Sequence, residues 1–202
     1  VLTAEHHDGF ALWDSELTPW CATKVGPKRD LVGDLAKAVR ERGMKFAPSY
    51  HRERHPGFFA TKKFDIRCTP RPDIAEEIKR NPEAAKLYGP FSYDDAFLAD
   101  YVARWKELER KYQPDFMWID GIPSFYMFKD DVQVIKFKDA CMHMIADYMN
   151  AAGKWGKEVY LNNKGPYGNW PTGVGCREAD NLKLPTIGPK WQNPATLGTS
   201  FG

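Results

Sequence analysis

Short apolar runs alternate along this chain with longer segments whose apolar residues recur every three or four positions. Four of the runs have the length and character of buried strands: Val1–Ala4, Met44–Ala47, Phe116–Ile119 and Glu158–Leu161. Helical spacing marks three segments between them, through Leu31, Leu35 and Val39, then Phe97, Tyr101, Trp105, Leu108 and Tyr112, and then Val134, Phe137, Cys141, Ile145 and Tyr148. Because helices separate the strands, the pattern predicts a parallel sheet with crossover connections.

Local signals predict where these helices begin and end. Asp30 is placed to cap the first helix and Gly43 to end it, and a capping-box pattern at Ser92 and Asp95 opens the second. Gly153 is the predicted end of the third helix. The stretch 52–90 is rich in proline and charge, and it reads as a long excursion with a short helix at 74–79.

Polar or ionisable residues follow every predicted strand: His6 and His7, then Tyr50, Asp120 and Lys164. A (β/α)8 barrel builds its active site at these carboxyl ends, and four strands make about half of such a barrel. A nucleotide-binding doubly wound sheet would show a glycine-rich turn after its first strand, and this sequence has none there. The predicted fold is therefore an α/β, partial TIM-barrel catalytic domain.

Composition narrows the class of protein further. The 202 residues are 43% hydrophobic and 28% charged with a net charge of +2, which is typical of a globular domain and predicts no nucleic-acid partner. No apolar run approaches the ~20 residues of a membrane span, and the cysteines form no zinc-type pair. The chain opens directly on an apolar run that reads as a strand already in progress, so we expect residues 1–202 to be a fragment of a longer chain.

Asp120 is the first candidate for chemistry, because it ends an apolar strand and precedes a glycine that allows a ligand to approach. The alternative is an ordinary turn aspartate. His6 and His7 offer donors and acceptors for sugar hydroxyls, with structural histidines as the alternative. A metal site would need a third ligand, for which His51 or His55 is available with Glu53 nearby, but their spacing matches no zinc motif.

A glycosidase needs a second carboxylate, and three downstream residues are candidates. Glu158 begins a strand and so lies at the wrong end of the barrel. Glu178 and Asp180 fall in a stretch that reads as a loop, where a general acid could reach over a bound sugar. Spacing alone does not choose between these two.

The run from Leu2 to Ser15, LTAEHHDGFALWDS, resembles the TAKHHDGFxLWxS pattern of glycoside hydrolase family 29, the α-L-fucosidases. The segment GPKRDLVG at 26–33 is similar to a second family motif, and Trp118-Ile119-Asp120-Gly121 is similar to the strand end that carries the nucleophile. Further similarity lies at Asn162-Asn163-Lys164, around Cys176-Arg177-Glu178, and from Lys190 to Gly202. Similarity is weak over 52–90.

The resemblance implies a retaining exo-glycosidase that removes terminal α-L-fucosyl residues from glycoconjugates. It implies Asp120 as nucleophile and Glu178 as acid/base, no metal or organic cofactor, and an extracytoplasmic location. It further implies that residues 1–202 are a fragment of a glycosidase catalytic (β/α)8 domain, without the family's N-terminal strands and C-terminal β-sandwich. The expected substrate contacts are His6, His7, Tyr50, Lys164, Trp191 and Phe201.

Four departures from the family pattern leave other functions open. Glu5 stands where the family has Lys, Ser49-Tyr50-His51 where it has Tyr-Tyr-Ser, Lys164 where it has Arg, and Gln192 where it has Glu. The first alternative is a carbohydrate-binding pseudoenzyme, against which the retention of both Asp120 and Glu178 argues. The second is a glycosidase for another L-sugar or for a sulfated fucose, because the basic stretch 52–71 could favour an anionic sugar.

Overall fold

Parallel strands form the centre of the structure, a computed structural model that describes residues 1–62, 68–120, 131–164, 174–176 and 191–192. The described strands are β1 (Leu2–Glu5), β2 (Pro48–Tyr50), β3 (Phe116–Ile119), β4 (Tyr160–Lys164), β5 (Val174–Cys176) and β6 (Trp191–Gln192). They form one sheet in that order, and every neighbouring pair is parallel. The predicted parallel order of the first four strands is confirmed, although the second and fourth strands lie later in the chain than predicted.

Helices occupy the connections between these strands. The described helices are α1 (Leu31–Arg40), α2 (His55–Phe58), α3 (Pro72–Arg80), α4 (Ala85–Tyr88), α5 (Asp95–Tyr112) and α6 (Asp131–Trp155). Short 3₁₀ turns at Arg52–Arg54 and Pro82–Ala84 precede α2 and α4. None of the described helices combines the length and the apolarity that crossing a bilayer requires.

The sheet has two more strands than the predicted half-barrel. β5 and β6 span three and two residues, too short to leave an apolar run in the sequence. The predicted strand Met44–Ala47 is wrong, because the paired residues are Pro48–Tyr50 and Met44 is half exposed. The backbone at Phe46 is instead held by Asp115, whose side chain accepts from the Phe46 amide at 2.9 Å.

The observed helix caps and buried helix faces match the sequence-based predictions only in part. The Asp30 side chain accepts from the Gly33 amide, as predicted for the cap of α1, but that helix buries Val32 and Ala36 and leaves Leu35 exposed. Asp94 rather than Ser92 caps α5. Helix α6 continues through Gly153 and ends at Trp155.

The predicted apolar faces of α5 and α6 form the core against the sheet. Every residue of the two predicted faces is buried: Phe97, Tyr101, Trp105, Leu108, Tyr112, Val134, Phe137, Cys141, Ile145 and Tyr148. Ring contacts also join the two helices to each other: the ring centroids of Tyr101 on α5 and Phe137 on α6 lie 5.2 Å apart.

One buried carboxylate of α5 fixes the long loop that follows β1. Glu107 accepts hydrogen bonds from Trp13 Nε1 and Ser15 Oγ, each at 2.7 Å, and from the backbone amide of Glu16 at 2.6 Å. Three donors satisfy both oxygens of this buried group, which removes the usual penalty for burying a charge. The loop is therefore anchored to the helix layer.

Candidate active site

The carboxyl ends of β1, β2 and β3 meet at one edge of the sheet and bring a carboxylate among imidazoles. His7 Nε2 lies 3.4 Å and His51 Nδ1 lies 3.5 Å from the same oxygen, Asp120 Oδ2. The Asp120 side chain is 11% exposed, so it remains accessible at the mouth of the sheet while its surroundings are largely dehydrated. Electrostatic interactions are stronger in such surroundings than in water.

The backbone that carries Asp120 is held on both sides. Its amide donates to Tyr50 O at 3.2 Å, which continues the β2–β3 pairing by one residue. On the β4 side, the buried Asn162 amide accepts from Ile119 N at 2.6 Å and donates to Ile119 O at 2.7 Å. Because one side-chain amide pairs with both backbone groups of Ile119, the residue before Asp120, the carboxylate is well positioned for chemistry.

Three imidazoles crowd this edge. The ring centroids of His6 lie 4.3 Å from His7 and 4.9 Å from His51, and the His51 ring stacks on Trp118 at 5.1 Å. Burial, together with the neighbouring His7 and His51, lowers the pKa of His6 to about 4. His6 is therefore a neutral ring at physiological pH, able both to donate and to accept a hydrogen bond.

The contacts of His7 determine which of its nitrogens faces the site. Its Nδ1 hydrogen-bonds His51 O, and because a carbonyl only accepts, Nδ1 carries a proton. Nε2 is the nitrogen that faces Asp120. A ligand hydroxyl near Asp120 could hydrogen-bond Nε2, which suits sugar binding.

Glu53 is a second carboxylate at the site. Its side chain is 1% exposed, and its Oε1 lies 4.0 Å from His7 Nδ1. Ligand atoms of His7, Glu53 and Asp120 lie within 4.8 Å of one another, and so do those of His6, His7 and His51. The structure thus brings His51 to the other two histidines, which the sequence spacing did not predict.

Two of the sequence-based candidates lie in the interior instead. Tyr50, predicted to contact substrate, is fully buried, and its hydroxyl donates to Tyr101 O at 2.8 Å. This corrects the prediction, because the ring points into the core beneath α5. His55, considered as a metal ligand, is fully buried with Nδ1 2.8 Å from His7 O and Nε2 2.7 Å from Gly89 O.

The buried His55 makes stability depend on pH. Burial and the charge of Arg52 outweigh its two carbonyl contacts and lower its pKa from 6.5 to about 3. Between these values the unfolded chain binds a proton that the folded chain excludes, so stability falls as the pH drops below about 6.5. We expect a loss of about 2 kcal/mol at pH 5 relative to pH 7.5 from this residue alone.

Denaturant unfolding at both pH values checks this expectation. His55→Gln should reduce the pH dependence and leave the part that His6 contributes through its own lowered pKa, whereas His143→Gln should not change it, because the His143 side chain is 74% exposed. Equal slopes in wild type and His55→Gln would contradict the assignment.

The remaining predicted site residues lie at or beyond the described segments. The Lys164 backbone ends β4, beside the strand that carries Asp120, and the Trp191 backbone begins β6. The side chains of these two residues, and the whole of Glu178 and Phe201, lie outside the described residues. Their roles remain predictions.

The sequence offered His51 and Glu53 only to a possible metal site and did not predict them as residues of the substrate site. The signal for His51 was present, because it directly follows a strand, as His6 does. It was obscured because the second strand was placed at Met44–Ala47, four residues too early. Glu53 lies inside a 3₁₀ turn and carries no comparable signal.

A parallel sheet joined by helices, with an acid and imidazoles at its carboxyl edge, defines a catalytic domain of the (β/α)-barrel class. The family model described as Alpha-L-fucosidase matches residues 1–202. The chain belongs to the alpha-L-fucosidase family, as its sequence motifs predicted.

Individual relatives agree with this membership. An alpha-L-fucosidase of Dictyostelium discoideum is 28% identical over 100% of this chain and 38% of its own length. A tissue alpha-L-fucosidase of Rattus norvegicus is 28% identical over 83% of this chain and 31% of its own length. The solved structure of Thermotoga maritima alpha-fucosidase, 28% identical, superposes with a TM-score of 0.54 over 95% of this chain and 36% of that chain.

The fold class follows from these neighbours. They have a (β/α)8 catalytic domain, of which this α/β chain with its parallel sheet covers a part. The chain spans between 31% and 38% of the length of the relatives named above.

Proposed function

We propose that the protein containing this chain is a retaining exo-glycosidase that hydrolyses terminal α-L-fucosyl residues of glycoconjugates. The observation that carries the proposal is Asp120 at a strand end with His7 and His51 within 3.5 Å of one of its oxygens. A related solved structure is titled as a complex of Thermotoga maritima alpha-fucosidase with fucose, at 26% identity and a TM-score of 0.50. That supports fucose as the substrate sugar.

In the proposed reaction, Asp120 attacks the anomeric carbon of the bound fucoside and displaces the aglycone. The leaving oxygen takes a proton from a second carboxylic acid, for which Glu178 remains our candidate. The resulting glycosyl-enzyme is hydrolysed by water that the same residue, now a base, activates. No metal is required by these steps.

The histidines supply recognition in this proposal. Neutral His6 donates and accepts, and His7 Nε2 hydrogen-bonds a hydroxyl that lies near Asp120. Lys164, Trp191 and Phe201 complete the proposed sugar contacts, with the two aromatic rings against the apolar face that carries the C5 methyl group.

A carbohydrate-binding pseudoenzyme remains the second candidate, favoured by the departures at Ser49, Lys164 and Gln192. In the structure, Ser49 Oγ contacts His51 Nε2. The serine that departs from the family pattern therefore has a hydrogen-bond partner within the site. A lectin would bind fucose without turnover. A glycosidase for a sulfated fucose would turn over only the sulfated substrate.

A substrate screen separates these functions. We expect the protein containing this chain to hydrolyse an aryl α-L-fucoside and to leave aryl α-L-galactoside and sulfated fucoside largely untouched. Activity should be unchanged after treatment with a chelator, because the histidines bind hydroxyls in this proposal. Fucose binding without release of the aryl group would favour the pseudoenzyme, and loss of activity that zinc restores would contradict the metal-free mechanism.

A further inference from the structure

Four charged side chains lie directly behind the histidines, on the helix side of the sheet. The Glu5 side chain is 0% exposed, and its Oε1 accepts from Arg52 Nη1 at 2.6 Å. Its Oε2 lies 3.4 Å from Arg104 Nη1. Asp100 completes the set, accepting from Arg52 Nε at 2.7 Å and from Arg104 Nε at 3.1 Å. Two negative and two positive charges balance, as buried charges must.

This cluster touches both ends of the turn that presents His6 and His7. Glu5 immediately precedes His6. After the histidines, Gly9 O accepts from Arg104 Nη1 at 3.3 Å, and a Cβ on Gly9 would lie 2.6 Å from His55 Cε1 and 3.2 Å from Arg52 Nη1. Gly9 has φ +80°, which further restricts this position to glycine. Arg104 therefore holds the turn both before and after its histidines, while Arg52 holds it before them.

The cluster also reaches the third histidine. Arg52 directly follows His51 in the chain, so its ion pair with Glu5 links the residue before His6 to the residue after His51. A backbone hydrogen bond from His51 N to Glu5 O, 3.0 Å long, runs parallel to this link. The side-chain pair therefore fixes the orientation of two strand ends that are already neighbours.

We propose that Glu5 is a positioning residue, which acts through Arg52 and Arg104 to set the relative orientation of His6, His7 and His51 around Asp120. Glu5 touches no substrate in this arrangement. The effect on catalysis rests on the function proposed above, whereas the effect on the imidazoles does not. The rival explanation is a purely structural ion cluster, whose loss would lower stability without moving the rings.

Charge-balanced variants separate the two explanations in the full protein that contains this chain. Glu5→Gln leaves an excess buried positive charge, and adding Arg104→Gln restores the balance without restoring the Glu5–Arg52 ion pair. Glu107→Gln is the matched control, because Glu107 is equally buried and also joins α5 to the loop after β1. If Glu5→Gln does not fold, Glu5→Asp keeps the charge and shortens the link.

The readouts are the unfolding midpoint, the imidazole NMR signals of the three site histidines, and kcat and KM on an aryl α-L-fucoside. We expect Glu5→Gln to lower the midpoint, shift the imidazole signals and reduce kcat about 10- to 100-fold with little change in KM. In the double variant the midpoint should recover while the shifted signals and low kcat persist. Glu107→Gln should change the midpoint alone, and Glu5→Asp should shift the signals.

Recovery of signals and kcat together with the midpoint would overturn the proposal in favour of a structural cluster. Unchanged imidazole signals in Glu5→Gln or Glu5→Asp would overturn it as well. If the wild-type protein hydrolyses no fucoside but the imidazole signals behave as expected, the proposed function fails while the positioning role stands.

Discussion

Asp120→Ala is expected to reduce hydrolysis of every fucoside by at least about 10⁴-fold, the upper range for a single catalytic group. The physical reason is that the anomeric carbon loses the carboxylate that attacks it, and a glycosyl-enzyme cannot form. The loss should be the same for good and poor leaving groups. Steady-state rates on aryl fucosides of graded leaving-group pKa measure this directly.

Azide gives the Asp120 experiment a stereochemical readout. In Asp120→Ala, azide can enter the space left by the carboxylate and displace the aglycone of an α-fucoside in one inversion, which yields a β-fucosyl azide. Asp139→Ala serves as control, because the Asp139 side chain on α6 is 70% exposed and should leave the rate unchanged. Residual activity above about one-tenth of wild type, with intact folding, would rule out Asp120 as nucleophile.

Glu178→Ala is expected to have the second largest effect, and one that depends on the leaving group. Hydrolysis of natural oligosaccharides should fall about 10²- to 10⁴-fold, because their alkoxide leaving groups need a proton. An activated aryl group departs with little protonation, so its fucoside should form the glycosyl-enzyme nearly as fast as in wild type and then accumulate it. A burst of aryl release in stopped-flow measurements would show this accumulation.

Azide also distinguishes Glu178→Ala from Asp120→Ala. It should attack the accumulated glycosyl-enzyme in a second inversion and yield an α-fucosyl azide with a restored steady-state rate, since azide needs no general base.

The structure also offers Glu53 as a rival candidate for the acid/base. One of its carboxylate oxygens lies within 4.8 Å of a carboxylate oxygen of Asp120. Retaining enzymes separate their two carboxyl groups by about 5–5.5 Å.

Glu53→Gln tests this rival. If the buried Glu53 only supports His7, Glu53→Gln should lower the hydrolysis rate of all substrates alike, and azide should not restore it. Leaving-group dependence in Glu53→Gln, together with wild-type behaviour of Glu178→Ala on oligosaccharides, would transfer the acid/base role to Glu53. If neither variant shows that dependence, Asp180 is the next candidate.

Much of the fold could be predicted from the sequence because α5 and α6 carry long, regular apolar faces. Ten predicted face positions on these helices are all buried. The strand ending at Asp120 was also predicted with its observed bounds, since four apolar residues precede a polar one. Hydrophobic periodicity predicts an element reliably when many residues follow the same pattern. It is a weaker guide to strands of two or three residues such as β5 and β6.

The site was harder to predict because strand bounds decide which side chains face the ligand. Placing β2 too early made Tyr50 a substrate contact and left His51 as a possible metal ligand, whereas the structure buries the first and sets the second beside Asp120. Contacts between residues far apart in sequence were also inaccessible. Glu5 and Arg52, separated by 47 positions, each read as an isolated charge.

The balanced charges at Glu5, Arg52, Asp100 and Arg104 have a consequence for how this sequence could have evolved. The family pattern has lysine at position 5. A change from lysine to glutamate at that position alone would place a buried negative charge among partners that matched a positive one. An unpaired buried charge costs about 3–5 kcal/mol, a large part of the stability of a typical domain. The identities at positions 5, 52 and 104 are therefore expected to be inherited as a set.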